Sequence, residues 1–380
     1  MRLLFTMAPG YGHLFPLVPL AVTAAMAGDD VLIATTGPNV EAAANAGLSA
    51  YDVAGGADVT GVYTGLQETI MARELSADEL KAEAGRRFGA VGELMLDGLV
   101  TLARRWHADA IVYPPALAAG LLAATAAGIP AVLHGIGLRR PTYRPAMLAM
   151  SGAARRWGVD ELPERPRAEI TVCPDSLEPE PVGSALPMRY LPYNGGIVLP
   201  EWAIERGQRP RVCVTLGSLS ATIGRGELLA KVIDAVSGLP VELVLTSAGA
   251  GLSALPDPLP ANVRVVDWLP MRVLLPTCRA IVHHGGAGTT FSAFAAGIPQ
   301  VIVPHGGDRP MNARLIEAKG AGVELSLATA DPEAIAASLN EVLRAPGYRD
   351  AARAIAGELA AMPAPAEVLP RLREHAGLSR

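Results

Sequence analysis

Short runs of aliphatic residues recur along the chain, each closed by a glycine or proline turn and followed by a stretch with helical spacing. In the first half these runs occupy residues 2–6, 31–35, 111–113 and 131–133, and residues 14–27 carry the apolar spacing of a helix. Residues 75–107 read as a further helix, with a break expected near Gly85 or Gly89. The runs do not alternate apolar and polar positions, and helices separate them. That combination predicts a parallel sheet covered on both faces. From 163 to 210 the pattern degrades into a stretch rich in proline and glycine, with one strand expected around 170–172. Residues 190–196 and the stretch up to Pro210 read as a linker. A second series follows, with strands at 211–216, 242–246, 263–266, 280–283 and 300–303 and helices around 227–236, 287–296 and 312–319. The expected architecture is α/β: a first parallel-sheet domain over 1–195, a linker over 196–210, a second domain over 211–360 and a last segment over 361–380. Two such halves bind ligands where strand carboxyl ends meet helix amino ends.

Composition sharpens this picture. A chain of 380 residues fits two domains and needs no covalent staples to fold. Half of it is hydrophobic and 18% charged, which excludes wholesale disorder, and 4% aromatic content leaves a core of aliphatic residues and alanine. Thirty-two basic against 37 acidic residues give a net charge of −5 with no long basic run, which argues against nucleic-acid binding. Cys173, Cys213 and Cys278 are odd in number and lack metal-ligand spacing, so no disulfide framework is expected and a reducing cytoplasm is the natural setting. Two stretches imitate targeting or membrane segments. The apolar start is interrupted by Pro9, Gly10, Gly12, His13 and Pro16, unlike a signal peptide. The uncharged stretch 111–138 could span a bilayer, but Pro114, Pro115, Gly120, Gly128 and Pro130 divide it into strand, turn, helix, turn and strand. No membrane span is expected.

Within this frame the sharpest chemical signal is HHGGAGTT, residues 283–290, which follows a strand and opens a helix. Gly286 and Gly288 would let a ligand approach the backbone, and the free N–H groups of the helix start favour an anion such as a diphosphate. His284 and Thr289 add side-chain donors. The bland alternative is a tight turn with incidental histidines. Adjacent strand residues point to opposite faces, so His283 and His284 are poorly placed to share a metal, and His305 and Asp308 complete no standard ligand spacing with His284. There is no D-x-D element either, so a departing diphosphate would be stabilised by protein donors and no metal is expected. One strand later, Asp308 and Arg309 stand where a carboxylate can hold neighbouring sugar hydroxyls, unless Asp308 only caps the helix. In LGSLS, Gly217 and Ser218 repeat the strand-turn geometry. Trp268, after another strand, offers a ring for a nucleobase or simply a half-buried core position. In the first half PGYGH places Gly10, Tyr11, Gly12 and His13 after a strand. It is too short for a dinucleotide fingerprint, but an imidazole there suits general-base work near neutral pH.

Taken together these motifs resemble the GT-B glycosyltransferases, and more narrowly the bacterial enzymes that attach activated sugars to polyketide antibiotics. The span 274–304, LLPTCRAIVHHGGAGTTFSAFAAGIPQVIVP, is close to that family's donor-binding signature. The G-x-G-H start, the LGS turn and the segment AAMPAPAEVLPRL extend the resemblance to both ends of the chain. It implies two Rossmann-like domains facing a cleft, with a C-terminal helix crossing back to the first. It also implies an inverting, metal-independent transfer. The nucleotide sugar, expected to be a TDP-linked deoxysugar, would be a co-substrate rather than a cofactor. Trp268 and Leu269 would lie near its base, Gly217, Ser218, His284, Gly286, Gly288 and Thr289 on its diphosphate, and Asp308 and Arg309 at its sugar. The first domain would hold a small hydrophobic acceptor near Gly10, Tyr11 and Gly12, with His13 as general base. A homodimer is compatible with this reading.

The sequence departs from the family pattern at one place that bears on mechanism. Many relatives carry a carboxylate that orients the base histidine, and Pro114 stands at that position here, with Asp109 at the far end of the strand. Plant relatives have Gln where this chain has Met271 and Arg309; Met271 fits the antibiotic group and Arg309 leaves the sugar preference open. Two other readings share the fold: a nucleotide-sugar epimerase, which usually needs several acidic residues at the site, and a non-catalytic nucleotide-binding partner subunit, for which the missing carboxylate speaks.

Overall fold

The computed structural model describes residues 1–57, 59, 77–178, 183–205, 207–217, 225–247, 255, 257–304 and 306–378. They form two compact units, Met1–Arg189 together with Met362–Arg380, and Tyr190–Ala361.

The first unit is built on strands β1 (Arg2–Thr6), β2 (Asp30–Thr35), β3 (Ser49–Asp52), β4 (Ala110–Tyr113), β5 (Ala131–His134), β6 (Ala168–Thr171) and β7 (Leu186–Pro187). They lie in the order β3-β2-β1-β4-β5-β6-β7, and every pair is parallel. β4 and β5 are buried at every position, which is why their sequence shows no alternation. The helix expected over 14–27 is two pieces, α1 (Tyr11–Leu14) and α2 (Val18–Met26). Pro16 has no N–H to continue the first, and Pro19 sits in the opening turn of the second. α3 (Pro38–Asn45) follows β2.

The long helix α4 (Ala77–Arg105) runs without the break expected near Gly85 or Gly89. Its glycines serve packing instead. α5 (Ala118–Ala127) follows β4, and α6 (Arg144–Ala149) and α7 (Ser151–Arg156) follow β5. A β-carbon added at Gly85 would lie 2.5 Å from Pro145 Cβ, and one at Gly89 would lie 2.6 Å from Ala149 Cβ. The stripe lets α6 approach α4 more closely than any side chain would allow. Val91, Met95, Leu96, Leu99 and Leu122 then fill the core between helices and sheet.

The second unit carries β8 (Arg211–Thr215), β9 (Glu242–Thr246), β10 (Val263–Val266), β11 (Cys278–His283), β12 (Gln300–Ile302) and β13 (Gly322–Glu324) in the order β10-β9-β8-β11-β12-β13, again all parallel. Its helices include α8 (Arg225–Ser237), α9 (Met271–Leu274), α10 (Ala287–Ala296), α11 (Arg309–Ala318), α12 (Pro332–Arg344) and α13 (Pro346–Ala361). α11 begins three residues before the expected start at 312 because Pro310 is suited to a first helical turn. Residues 190–205, apart from their role as a chain connection, belong to this unit.

The last helix, α14 (Pro365–His375), returns to the first unit and packs on α2. Arg373 donates to the fully buried carboxylate of Asp29 at 2.6 Å, and the α-amino group of Met1 reaches the same carboxylate at 3.0 Å. Among the described residues no helix is long and apolar enough to cross a membrane.

Candidate functional site

In each sheet the strand order reverses between two neighbours, β1 and β4 in the first and β8 and β11 in the second. The turns leaving the carboxyl ends of such strands form a crevice in doubly wound sheets. The turns after β1, β8 and β11 carry three of the motifs singled out from the sequence, while Trp268 follows β10 and Asp308 and Arg309 follow β12.

In the first unit the chain leaving β1 is stitched down by a residue the sequence did not advertise. Asn39, fully buried in α3, accepts from Gly10 N–H at 3.1 Å and donates through Nδ2 to Ala8 O at 3.0 Å. Thr35 Oγ1 donates to Met7 O at 3.0 Å. This fixes Gly10, with φ 119°, a backbone angle only glycine tolerates, as the cap of α1. Tyr11, Gly12 and His13 therefore form one helical turn at the end of the central strand. Tyr11 stacks on Phe15 with centroids 5.1 Å apart, and His13 is half-buried. Pro114 follows β4 at this same end of the sheet. Asp109 precedes β4 and accepts from Arg2 N–H at 2.7 Å, which places it at the opposite end.

In the second unit β8 and β11 pair directly, with Thr215 opposite His283, so Leu216 and Gly217 become neighbours of the HHGGAG turn although the sequence separates them. The His284 side chain lies buried between them. A β-carbon at Gly217 (φ 77°) would stand 2.6 Å from His284 Cε1, and one at Gly286 would stand 2.5 Å from His284 Nε2. Any residue larger than glycine at either position would displace the ring. Gly286 caps α10 without a side-chain bond, and the first intrahelical bond runs from Thr290 N to Gly286 O. The N–H groups of Ala287, Gly288 and Thr289 thus lack intrahelical acceptors, as anion binding at a helix start requires. Ser218 lies outside the described residues, as does His305.

His283 serves the scaffold. Its Nε2 faces Gln300 Oε1 at 2.8 Å, and its Nδ1 accepts from Gly285 N–H at 3.0 Å. These two bonds require the neutral ring with its proton on Nε2. Burial pushes its pKa down to about 4, which keeps it neutral. Asn312, buried in α11, donates to Gly285 O at 2.8 Å and so holds the turn from the other side. Neither amide was legible as a site residue, because a buried Asn or Gln in a helix or strand has no local signature.

Asp308 occupies the cap position of α11, is exposed, and makes no capping bond. Arg309 opens that helix, half-buried; burial holds its guanidinium below its ordinary pKa, and the Asp308 charge opposes that shift. Trp268 is half-buried, and its indole N–H donates to Asn194 O at 2.8 Å. The Leu269 side chain belongs to the core with Cys213, Val244 and Leu274, so only its backbone is left to meet a ligand. Among the described residues no three His, Cys, Asp or Glu side chains converge as metal ligands would.

Two parallel α/β sheets, with glycine-rich turns at both switch points and a final helix returned to the first unit, define a GT-B glycosyltransferase. The chain belongs to the Erythromycin biosynthesis protein CIII-like family: residues 22–217 match its N-terminal domain and residues 230–375 its C-terminal domain. It is 38% identical to the elloramycin glycosyltransferase ElmGT of Streptomyces olivaceus over 100% of this chain and 98% of that protein. The glycosyltransferase SnogD from Streptomyces nogalater superposes with a TM-score of 0.84 at 36% identity, covering 99% of both chains. The glycosyltransferase VinC, solved in complex with dTDP, superposes at 0.82 with 30% identity over 100% of both chains.

Proposed function

We propose that this glycosyltransferase moves a sugar from a TDP-activated deoxysugar to a polyketide-type natural-product acceptor, with inversion at the anomeric carbon and without a metal. The observation that carries the reading is the His284 ring seated between Gly217 and Gly286, at a helix start whose first N–H groups lack partners within the helix. Backbone N–H groups, His284 and the Thr289 hydroxyl would together meet the two phosphates, with Gly217 facing them and Gly288 allowing close approach, and Ser218, outside the described residues, is expected from the sequence to join them. The Trp268 ring would carry the thymine beside the Leu269 backbone. Asp308 and Arg309 would hold the sugar hydroxyls. The dTDP complex of VinC supports the choice of nucleotide, and the name of ElmGT supports an acceptor of natural-product type.

On the acceptor side, Gly10, Tyr11 and Gly12 would shape the surface and His13 would take the proton. The acceptor atom bonds to the anomeric carbon from the face opposite the diphosphate. The bond from that carbon to the diphosphate oxygen breaks, its electron pair leaves with TDP, and the acceptor proton ends on the His13 imidazole. Pro114 stands where many relatives carry the carboxylate that orients this histidine, so a group orienting His13 would come from elsewhere in the chain. A phenol or an activated carbon would ask less of His13 than an aliphatic alcohol, because it gives up its proton more readily.

The test is direct. Purified protein is incubated with TDP-sugars, with and without a crude aglycone extract, and released TDP and any new sugar isomer are measured. Release of TDP only with acceptor is the expected result. A sugar isomer without TDP release would instead indicate an epimerase, and no turnover with any donor would indicate a non-catalytic partner. His13→Ala is expected to abolish transfer while leaving TDP affinity unchanged; unaltered turnover would remove His13 from the mechanism.

A further inference from the structure

The segment read from the sequence as a linker lies along the second unit and reaches both turns assigned above to the nucleotide. Tyr190 is the first residue of that unit, and its side chain is buried. Its hydroxyl donates to Gly288 O at 3.2 Å, and its ring packs against Phe291 with centroids 5.5 Å apart. Ser292 Oγ donates to the same carbonyl at 2.7 Å. Four residues beyond Tyr190, Asn194 O accepts the Trp268 indole N–H. Farther along, Trp202 lies under the guanidinium groups of Arg264 and Arg211, at 4.5 and 5.4 Å, which anchors the segment to the sheet.

The Gly288 carbonyl belongs to the peptide group whose N–H is that of Thr289. Hydrogen bonds received by a carbonyl polarise the whole peptide, so each strengthens the N–H at its other end as a donor. They also fix the tilt of the peptide plane. Two side-chain hydroxyls therefore converge on the back of a peptide whose front N–H lacks an intrahelical acceptor. Burial pushes the Tyr190 phenol up to about 12, so it stays protonated and donating throughout the neutral range.

We propose that Tyr190, assisted by Ser292, is a positioning residue for the donor diphosphate: through the Gly288 carbonyl it orients and polarises the Thr289 N–H toward the phosphates. The inference rests on the assignment of this helix start to the diphosphate. Tyr190 touches no substrate in this account. A purely structural role would be served as well by phenylalanine, which keeps the contact with Phe291.

Tyr190→Phe removes only the hydroxyl, and Ser292→Ala removes the other donor. Calorimetry of the wild type and both variants with TDP, and ligand-observed NMR with thymidine, which carries no phosphate, separate the cases. The expected result is a five- to tenfold weaker TDP affinity for Tyr190→Phe, about 1 to 1.4 kcal/mol, with thymidine affinity within twofold of wild type. Ser292→Ala should shift TDP affinity in the same direction, and it carries the test if Tyr190→Phe does not fold. Unchanged TDP affinity in both variants, or equal losses for TDP and thymidine, would overturn the role of Tyr190 and leave the donor site standing. A wild-type protein that binds thymidine but gains nothing from the diphosphate, or binds neither ligand, would overturn the donor-site assignment and this inference with it.

Discussion

Asn312 illustrates how a buried amide can hold a turn of the candidate site. Its buried amide ties α11 to Gly285 O, on the turn that carries His284. Asn312→Ala leaves that carbonyl unsatisfied, at a cost of about 1–3 kcal/mol in unfolding free energy. Donor affinity should fall with it, since Gly285 and Gly286 lose their brace. A urea titration checks the first outcome and calorimetry with TDP the second; a variant equal to wild type in both would show the bond to be idle. The residues singled out from the sequence, His13, Gly217, His284, Gly286 and Asp308, lie in the segments that follow strands, where glycine and polar residues are conspicuous against an aliphatic background. Asn39, Gln300 and Asn312 were not legible, because their partners, backbone atoms for the two asparagines and the His283 ring for Gln300, lie far along the chain. The family resemblance implies Leu269 beside the base, and its side chain is buried in the core.

At the scale of elements, α4 shows where local propensity misleads. Glycine in a helix interior lowers stability by about 0.5–1 kcal/mol relative to alanine, which makes a break the natural expectation at Gly85 and Gly89. In the folded unit these positions face α6 at distances that admit no β-carbon. Gly89→Ala should therefore destabilise, by about 1–3 kcal/mol, although it improves helix propensity. A rise in the urea midpoint would show that the close approach is dispensable. The same scale governs α14. Arg373 is about a quarter exposed, with 24% of its side-chain surface open, while Asp29 is fully buried. Arg373→Ala is expected to cost about 2–3 kcal/mol, below the 3–5 typical of a fully buried pair. Amide exchange in α14 should quicken more than in β1, and uniform protection across both would contradict this docking. Strands were the most legible elements because their aliphatic runs are short and uninterrupted. β3, β7 and β13 escaped notice, since edge strands of two to four residues carry little pattern.

At the scale of the whole molecule, each unit has among its described residues a fully buried histidine at a strand end, His134 in the first and His283 in the second, and burial pushes both pKa values down to about 4. An unfolded chain takes up these protons near pH 6.5. Both groups therefore favour the folded state fully above pH 6.5, and that contribution drains away as pH falls toward 4. The loss amounts to roughly 3 kcal/mol per histidine over the window. Urea midpoints measured from pH 7.5 down to 4.5 should decline through it, and His134→Gln should flatten the decline for the first unit alone. A pH-independent midpoint would contradict the burial of both rings. The division into two α/β halves was legible from the break in pattern after residue 163. That residues 190–205 belong to the second unit was not, because proline- and glycine-rich sequence looks the same whether it is packed or free.

In the proposed donor site, a helix start and an imidazole between two glycines grip a nucleoside diphosphate in the second unit. Calorimetric titration of TDP into wild-type protein and into Gly286→Ala tests it most directly. Saturable binding to the wild type is expected, with at least a tenfold loss in the variant at a temperature where circular dichroism shows it folded. Wild-type protein indifferent to TDP, or a variant that binds it equally well, would contradict the claim.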